Sequence, residues 1–371
     1  MIDTTFYQQK NLLLKKQNLL RKPKIYKFID TNNVISKKQS LVSFACNNYL
    51  GLANHKQVIK KSQEALLKYG LGAKSSAFVV GKNPLYKNLK TQLCKHYNQE
   101  DALIFSSGYL ACLGVVSALA NKNSLIVADK LLHNSLLEGA KLSQATLKRF
   151  THNNLDHCRQ LLLEHCHHFA NCLIITESVF SMDGDSPNLA QLQQLANHFN
   201  CLLIVDNAHS LYNEKPEINN CLHLGTFSKS LGGLGGYAVG KTEIITYLAN
   251  YSKTAIYTTA LPPAILAGVN QAFKIAKKGN LAKKALANAQ YFCKLTQQKF
   301  NNSCIVPIVL GSAKKVMLLS KKLVKVGFLI SAIRPPTVEK NKARLRISFN
   351  ANHQKKDIKK LAKLIAFDIF K

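Results

Sequence analysis

The stretch Leu202-Leu203-Ile204-Val205-Asp206-Asn207-Ala208-His209 joins four large apolar residues to a carboxylate and then to an imidazole. A short run of this kind is typical of a strand that is buried on both faces of a sheet. A carboxylate at the end of such a strand is costly unless it meets a partner, although capping of the next helix is a simpler explanation. The stretch therefore predicts a central strand that places Asp206 and His209 at one edge of a sheet.

Apolar runs of similar length recur along the middle of the chain, and helix-length segments separate them. They are Ala102–Phe105, Ser124–Asp129, Thr146–Phe150, Cys172–Ser178, Cys201–Ala208, Leu222–Phe227 and Gly236–Val239. This alternation predicts an α/β fold with a mostly parallel, seven-stranded central sheet, because parallel strands need long crossover connections. Ligands of such sheets bind beyond the carboxyl ends of the strands, so the residues that follow the runs are the candidate site residues.

The chain of 371 residues is long enough for a large domain and a smaller one. Residues 1–40 are expected to form a basic N-terminal arm that is helical until near Pro23. We expect a large ligand-binding domain over residues 41–262 and a small α+β C-terminal domain over residues 263–371, because Pro262-Pro263 interrupts any helix. A long lysine-rich helix is expected from about residue 265 through Ala289.

The net charge of +32 comes mostly from lysine, since 45 of the 51 basic residues are lysines. Clustered basic residues mark nucleic-acid binders, but here they are spread along the chain, which favours a solvated lysine-rich surface and no nucleic-acid partner. The arginines that remain are informative, because a guanidinium offers a carboxylate a rigid fork that lysine lacks. They are Arg21, Arg149, Arg159, Arg334, Arg344 and Arg346.

Ten cysteines occur without any C-x-x-C pair, so we expect reduced thiols rather than a zinc ribbon or a disulfide framework. The segment His165-Cys166-His167-His168 resembles a metal cluster, but no second ligand group has the usual spacing, and no metal site is expected. No apolar run is long enough to span a bilayer and no secretory pattern opens the chain, which predicts a soluble, cytoplasmic protein without a membrane partner.

Residues that could bind a cofactor or take part in catalysis follow several of the predicted strands. Lys229 lies among small residues, which leaves room for a bulky cofactor, although a surface lysine is the default interpretation. Ser107-Gly108-Tyr109 precedes an apolar helix whose first amides would suit a phosphate, although Ser-Gly is also a common cap. His133 and Ser181 follow two further runs. Each signal is weak alone, and their shared position at strand ends is what indicates one site.

The chain resembles the α-oxoamine synthase family of fold-type I pyridoxal-phosphate enzymes, and the resemblance runs nearly end to end. The motifs that carry it are Asn47-Asn48-Tyr49-Leu50-Gly51-Leu52, Gly70–Gly81, Ser107-Gly108-Tyr109, His133-Asn134-Ser135-Leu136, Phe180–Asp185, Asp206–His209, Gly225–Gly233, Thr258-Thr259-Ala260-Leu261-Pro262-Pro263, Ala332–Val338 and Ala343–Arg346. The resemblance implies an acyltransferase that joins an amino acid to an acyl thioester with loss of carbon dioxide.

The resemblance also implies roles for the strand-end residues. Lys229 would hold pyridoxal 5'-phosphate covalently and then act as acid and base. Asp206 would pair with the pyridine nitrogen, while His209 and Ser181 would bond the phenolic oxygen. His133 would stack on the ring and contact the substrate.

Other residues would hold the phosphate and the substrates. The phosphate ligands implied are Ser107, Gly108, Tyr109 and Thr226, with Thr258 or Thr259 reaching in from a partner subunit. Such sharing implies a homodimer. The substrate carboxylate and acyl groups would meet Arg21, Thr337 and Arg346, two of which belong to the small set of retained arginines.

Substrate identity is predicted less sharply than reaction type. The pair Pro335-Pro336 before Thr337 is similar to the pimeloyl-using branch, which implies L-alanine and a pimeloyl thioester, carried by coenzyme A or acyl carrier protein, in biotin synthesis. Lys74, Tyr86 and Asn207 depart from the family pattern, as does Glu339. The alternatives are a glycine-using synthase of the 2-amino-3-ketobutyrate or 5-aminolevulinate type, and a catalytically retired scaffold that binds nucleic acid or other acidic partners.

Overall fold

A computed structural model of the chain describes residues 2–214, 216 and 218–369. These residues divide into two compact units. The larger unit comprises Asn48–Ser181 and Asp185–Lys283. The smaller unit combines the chain up to Asn47, the short segment Met182–Gly184 and the chain from Lys284 onward.

The strands are β1 (Lys27–Phe28), β2 (Asn33–Ser36), β3 (Gln39–Ser43), β4 (Asp101–Phe105), β5 (Ser124–Asp129), β6 (Thr146–Phe150), β7 (Asn171–Glu177), β8 (Leu202–Asp206), β9 (Leu222–Thr226), β10 (Gly236–Gly240), β11 (Ile305–Gly311), β12 (Phe328–Leu329), β13 (Ser331–Ile333) and β14 (Ala343–Ser348). The helices are α1 (Thr5–Lys16), α2 (Lys56–Tyr69), α3 (Pro84–Tyr97), α4 (Gly108–Leu119), α5 (Asn134–Ser143), α6 (Leu155–His165), α7 (Leu189–His198), α8 (Thr242–Tyr251), α9 (Lys253–Ile256), α10 (Pro263–Ala276), α11 (Asn280–Thr296), α12 (Ala313–Lys325) and α13 (Lys355–Ile369).

The larger unit contains a seven-stranded sheet in the order β4-β10-β9-β8-β7-β5-β6. The pairs from β6 through β5, β7 and β8 to β9 are parallel. Strand β10 runs antiparallel to both of its neighbours, β9 and β4. The predicted mostly parallel, seven-stranded sheet is therefore confirmed.

Alternate residues of β5 show why this sheet needs helices on both faces. Ile126 and Ala128 pack into one cluster with apolar residues of α4 and α5. Leu125 and Val127 pack into another cluster with residues of α6 and α7. Because successive side chains of a strand point to opposite faces, both faces must be apolar, which explains the uninterrupted apolar runs of the sequence.

The smaller unit has a core of its own. A three-stranded antiparallel sheet, in the order β11-β14-β13, is accompanied by a four-stranded sheet in the order β1-β2-β3-β12. Phe44, Phe292, Phe328 and Phe349 are almost fully buried in one cluster with residues of α12 and α13. The predicted α+β character of the C-terminal region agrees with these elements.

Two sequence expectations differ from the structure. The expected long helix through Ala289 is wrong, because α10 ends at Ala276 and α11 begins at Asn280. Gly279, in the connection, has a φ of +75°, a left-handed conformation that glycine adopts without strain and that interrupts a helix. The larger unit also runs to Lys283 rather than to residue 262. The reason is that α10 packs against α2, where a Cβ at Gly268 would come within 2.4 Å of the Ser62 hydroxyl oxygen.

Within the described residues, no helix combines the length and apolar character needed to cross a membrane.

Candidate active site

Lys229 lies in a tight loop between β9 and β10, and its amine contacts an imidazole. The distance from Lys229 Nζ to His209 Nε2 is 2.9 Å, and the distance from His209 Nδ1 to the Tyr49 hydroxyl oxygen is 2.8 Å. An ammonium can only donate, so in the protonated state of Lys229 the His209 Nε2 accepts and Nδ1–H donates to Tyr49. The three groups form a hydrogen-bonded chain through which a change in the charge of Lys229 is felt at Tyr49.

Asp206 ends β8 and is buried, with 4% of its surface exposed. One carboxylate oxygen accepts a hydrogen bond from the Ala208 amide at 2.9 Å, and the other lies 3.5 Å from the Cys112 thiol. Among the described residues its donors are one amide and a weak thiol, and a buried carboxylate in this setting suits a cationic partner such as a protonated pyridine nitrogen. Burial next to this carboxylate raises the pKa of Cys112 well above its ordinary value, so its thiol stays protonated.

The start of α4 forms a cradle with the end of β9. Ser107 caps α4, and its hydroxyl accepts a hydrogen bond from the Leu110 amide. A Cβ at Gly108 would lie 2.7 Å from the Thr226 Cβ, so only glycine allows this close approach. The Thr226 and Ser228 hydroxyl oxygens are 2.8 Å apart. Amides at a helix start together with neighbouring hydroxyls suit a phosphate, and the residues present fit the predicted cofactor.

His133 and Glu177 meet where the strand order reverses between β5 and β7, the position at which such sheets usually bind ligands. The His133 amide donates to the Glu177 carboxylate at 2.7 Å, and the Ser181 amide also bonds to it. Burial, with a further contribution from the negative charge of Asp206, raises the pKa of Glu177 to about 8. Burial lowers the pKa of His133, so its ring is neutral at physiological pH.

A second, partly buried network supports the turn that contains Ser181. His152 bridges Asp129 and Asp185, with nitrogen-to-oxygen distances of 2.9 Å on both sides. Burial alone would lower the pKa of His152, but its hydrogen bonds with the two carboxylates raise that pKa to about 10. The His152 ring also packs edge-on against Phe180, and the Phe180 amide donates to the Asp185 carbonyl. The network thus holds Phe180 in place and, with it, the adjacent Ser181.

The predicted threonines lie near the phosphate cradle within the single chain. The Thr258 hydroxyl oxygen is 3.3 Å from that of Ser106, one residue before the α4 cap. Thr259 forms an isolated bridge with Ser76. Their contribution to a partner's site stays a prediction.

The predicted substrate residues Arg21, Thr337 and Arg346 belong to the smaller unit. Arg21 donates to the Thr337 hydroxyl at 2.8 Å. Arg346 is buried and donates to the side chains of Asn47 and Ser348 at 3.0 and 2.8 Å. These contacts hold the guanidinium groups in place, and their substrate roles stay predictions.

The retained arginines also include structural ones. Arg344 forms an ion pair with Asp183, and Arg334 donates to the Leu20 carbonyl at 3.0 Å. Arginine retention in a lysine-rich chain therefore indicates demanding hydrogen-bond geometry rather than substrate binding as such.

Two of the departures from the family pattern, Tyr86 and Asn207, make buried hydrogen bonds, whereas nothing in the described part of the structure explains Lys74 or Glu339. The Tyr86 hydroxyl is buried and accepts a hydrogen bond from the Leu261 amide at 2.7 Å. Asn207 is buried and donates to the Val205 carbonyl at 3.0 Å. Lys74 is exposed and has a φ of +69°.

Comparison with known sequences decides the family. Residues 39–365 match the family described as aminotransferase class I and II. The chain belongs to this family. Pyridoxal phosphate is accordingly its cofactor, as the sequence predicted.

Curated relatives resemble this chain over most of its length. An 8-amino-7-oxononanoate synthase of Methylorubrum extorquens is 41% identical over 328 residues, which cover 88% of this chain and 86% of the relative. Another, from Beijerinckia indica, is 38% identical over 341 residues and covers 88% of each chain. The predicted resemblance to the α-oxoamine synthases is confirmed.

Similar solved structures confirm the fold. A serine palmitoyltransferase of S. paucimobilis has a TM-score of 0.89 at 23% identity and covers 98% of this chain and 97% of its own. An 8-amino-7-oxononanoate synthase of Francisella tularensis has a TM-score of 0.75 at 29% identity and covers 89% of this chain and 98% of its own. The fold-type I transferase assignment made from the sequence is therefore confirmed.

Four residues of the site were not assigned roles from the sequence. They are Tyr49, Cys112, Glu177 and Ser228. Tyr49 and Ser228 lie inside motifs shared with the family, so the sequence indicated that these segments belong to the site. It did not indicate which groups the two side chains contact. Glu177 falls inside an apolar run, where a carboxylate is itself a signal because its burial is costly.

Proposed function

We propose that the chain condenses L-alanine with a pimeloyl thioester and releases carbon dioxide and the free thiol, the reaction that gives 8-amino-7-oxononanoate in biotin synthesis. The observation that carries the proposal is the hydrogen-bonded chain of Lys229, His209 and Tyr49 beside buried Asp206. It is supported by relatives of the 8-amino-7-oxononanoate synthase type over 88% of the chain. An acyltransferase is thus the class of enzyme proposed.

Three parts of the site would hold the cofactor. Lys229 would bond its aldehyde carbon, Asp206 would pair with its ring nitrogen, and the α4 cradle would bind its phosphate. When bound, pyridoxal phosphate withdraws electrons from the bonds at the substrate α-carbon. Asp206 keeps the ring nitrogen protonated, because a buried carboxylate is stabilised by a cationic neighbour. Lys229 Nζ takes the α-proton of alanine and later returns a proton to the product, with His209 Nε2 as its hydrogen-bond partner.

His133 binds the carboxylate or carbonyl that changes during the reaction. Its ring is neutral, and its Nδ1 lies 2.7 Å from the Ser135 hydroxyl oxygen, which leaves Nε2 as the nitrogen available to the substrate. Glu177 fixes this position by accepting the His133 amide. Because Glu177 is largely protonated near neutral pH, it supports His133 without adding a second full negative charge beside Asp206.

The remaining substrate contacts and the partner subunit are part of the proposal. We assign the alanine carboxylate to Arg346 and the acyl side to Arg21 and Thr337, as the family resemblance implies. A homodimer would supply Thr258 or Thr259 to each site from the partner. Mixing Lys229→Ala protein with Thr258→Ala/Thr259→Ala protein tests the sharing, since hybrid dimers would regain one intact site.

Product analysis tests the function directly. The purified holoenzyme is incubated with L-alanine and pimeloyl-coenzyme A, and mass spectrometry should find 8-amino-7-oxononanoate. Lys229→Ala should abolish the product, whereas Lys241→Ala, which removes a lysine just after β10, should keep it. Faster turnover of glycine than of alanine, or of serine with a palmitoyl thioester, would refute the assigned substrates.

The dependence of kcat/KM on ionic strength can distinguish between the two candidate acyl donors. The net charge of +32 favours an acidic donor such as a pimeloyl group on acyl carrier protein over the coenzyme A ester. We expect kcat/KM for the carrier-bound donor to fall steeply as ionic strength rises. Equal efficiency with both donors at every ionic strength would remove this preference.

A further inference from the structure

Three cysteines that are distant in sequence converge at the edge of the sheet opposite to Lys229. Cys166 begins a short 3-10 turn after α6, Cys172 is the second residue of β7, and Cys201 directly precedes β8. The Cys166 sulfur is 2.8 Å from that of Cys172 and 3.9 Å from that of Cys201, and all three sulfurs lie within 4.8 Å of one another. Sequence motifs do not indicate this group, because its spacings of six and twenty-nine residues match no common zinc motif.

We propose that Cys166, Cys172 and Cys201 form a thiolate site for a zinc ion. Three sulfurs with these separations lie within about 2.4 Å of a common point, close to the zinc–sulfur bond length of about 2.3 Å. Zinc is the most suitable occupant among common divalent ions, because soft thiolates select it over magnesium and calcium. The proposed site is distinct from the cofactor site and assigns a ligand to residues that the proposed reaction does not use.

The surroundings leave a fourth position open to solvent. A cleft of about 480 Å³ adjoins the group and is lined by Cys166 and Cys172 themselves, together with His167 and Phe169. Zinc is four-coordinate in most proteins. Side-chain rotations that bring the sulfur separations toward the roughly 3.8 Å of a tetrahedral zinc–thiolate centre would let a water molecule from this cleft take the fourth position. The cleft also gives the ion a path to Cys172, which is buried.

The charge balance of the proposed centre suits this chain. Zinc binding displaces three thiol protons to the solvent and leaves a centre of charge −1, which a chain of net charge +32 tolerates.

The position of the group indicates a structural rather than a catalytic role. Cys172 and Glu177 stand near opposite ends of β7, and five residues of a strand span about 17 Å. Zinc would join α6, β7 and the start of β8 at the amino edge of the sheet. We therefore expect it to stabilise the larger unit without entering the reaction.

Metal binding by the holoenzyme tests the proposal. The reduced protein is treated with a chelator, dialysed and titrated with Zn²⁺, with Mg²⁺ as the control ion. We expect one zinc per chain by elemental analysis, release of protons on binding and a rise in melting temperature. Co²⁺ in place of Zn²⁺ should give the long-wavelength absorption of a tetrahedral cobalt–thiolate centre.

Matched serine variants locate the site. Cys172→Ser and Cys201→Ser should each lose stoichiometric zinc and the cobalt spectrum, whereas Cys94→Ser, which removes a half-buried thiol elsewhere, should keep both. Failure of the wild-type protein to bind zinc in reducing buffer overturns the proposal, whatever the variants do. Binding that survives Cys172→Ser and Cys201→Ser also overturns it. A protein that binds zinc but makes no product would refute the proposed function alone.

Discussion

Strands β7 and β8 differ in chemistry between their carboxyl ends and their amino ends. At the carboxyl edge of the sheet, Glu177 and Asp206 are buried carboxylates. Burial and then the negative charge of Asp206 raise the pKa of Glu177, and the same charge opposes the lowering of the His133 pKa by burial. At the amino edge, Cys172 and Cys201 are thiols that lie close to Cys166. One sheet can thus separate reactive groups from stabilising groups by the length of a strand. A change at one edge should therefore leave the other edge intact.

Lys229→Ala should give the largest effect, and only at the carboxyl edge. Without the amine no group holds the cofactor covalently or moves the α-proton, so kcat should fall by about 1,000-fold or more. Absorption spectroscopy should show loss of the covalently held cofactor, while zinc binding at the amino edge is retained. Lys241→Ala is the control and should behave as wild type. An active Lys229→Ala enzyme would mean that another group moves the proton.

His152→Ala tests the support beneath the carboxyl edge. It leaves Asp129 and Asp185 without their shared cation and should cost about 1 to 2 kcal/mol in the free energy of unfolding at pH 6, because His152 and Asp185 are only partly buried. The pKa of His152 is raised in the folded state, so its contribution is full below pH 6.5 and is lost as pH rises toward about 10.

The loss should consequently shrink between pH 6 and pH 10 in urea unfolding experiments. His198→Ala, which removes an exposed imidazole, should show neither the loss nor its pH dependence. A cost for His152→Ala that is equal at both pH values would contradict the ion-pair explanation.

Tyr49→Phe removes a single hydrogen bond from His209 and should have a smaller effect. The loss of about 1 kcal/mol corresponds to a fall of roughly 5-fold in kcat. Because Tyr49 acts through His209 on Lys229, the pH profile of kcat should shift as well. Tyr251→Phe, at an exposed tyrosine, serves as the control. A lower kcat with an unchanged pH profile would show that Tyr49 only fills space.

Cys172→Ser in zinc-free protein should have the smallest effect. A serine hydroxyl can replace the thiol as donor to the Cys166 carbonyl, so unfolding free energy should change by less than about 1 kcal/mol. Turnover of alanine should stay within about 2-fold of wild type, because the strand separates the edges. A larger loss of turnover would show that the two edges are coupled.

The sequence predicted those parts of the fold and the site that depend on residues close together in the chain. Most strands of the central sheet are apolar runs, so their positions can be read directly from the residues; the edge strand β6, with Lys148 and Arg149, is the exception. Asp206, His209 and Lys229 follow such runs, and the topology of a parallel sheet brings strand ends together. His209 and Lys229 meet within 2.9 Å for this reason.

Contacts between distant segments could not be predicted in the same way. Tyr49 reaches His209 from 160 residues away, and the three cysteines meet only because β7 and β8 are neighbours in the sheet. The break between α10 and α11 was missed for another reason. The helical pattern of apolar residues continues across Gly279, and only its left-handed backbone conformation reveals the turn.

The loop that contains Lys229 is held closed by its own backbone. The Phe227 amide donates to the Gly235 carbonyl, the Gly233 amide donates to the Phe227 carbonyl, and the Gly232 amide donates to the Lys229 carbonyl. The conformational entropy of ordering this loop is therefore lost when the protein folds and not when the cofactor arrives. Reconstitution of the apoprotein should then need little folding, and amide hydrogen exchange in the loop should be slow before pyridoxal phosphate is added.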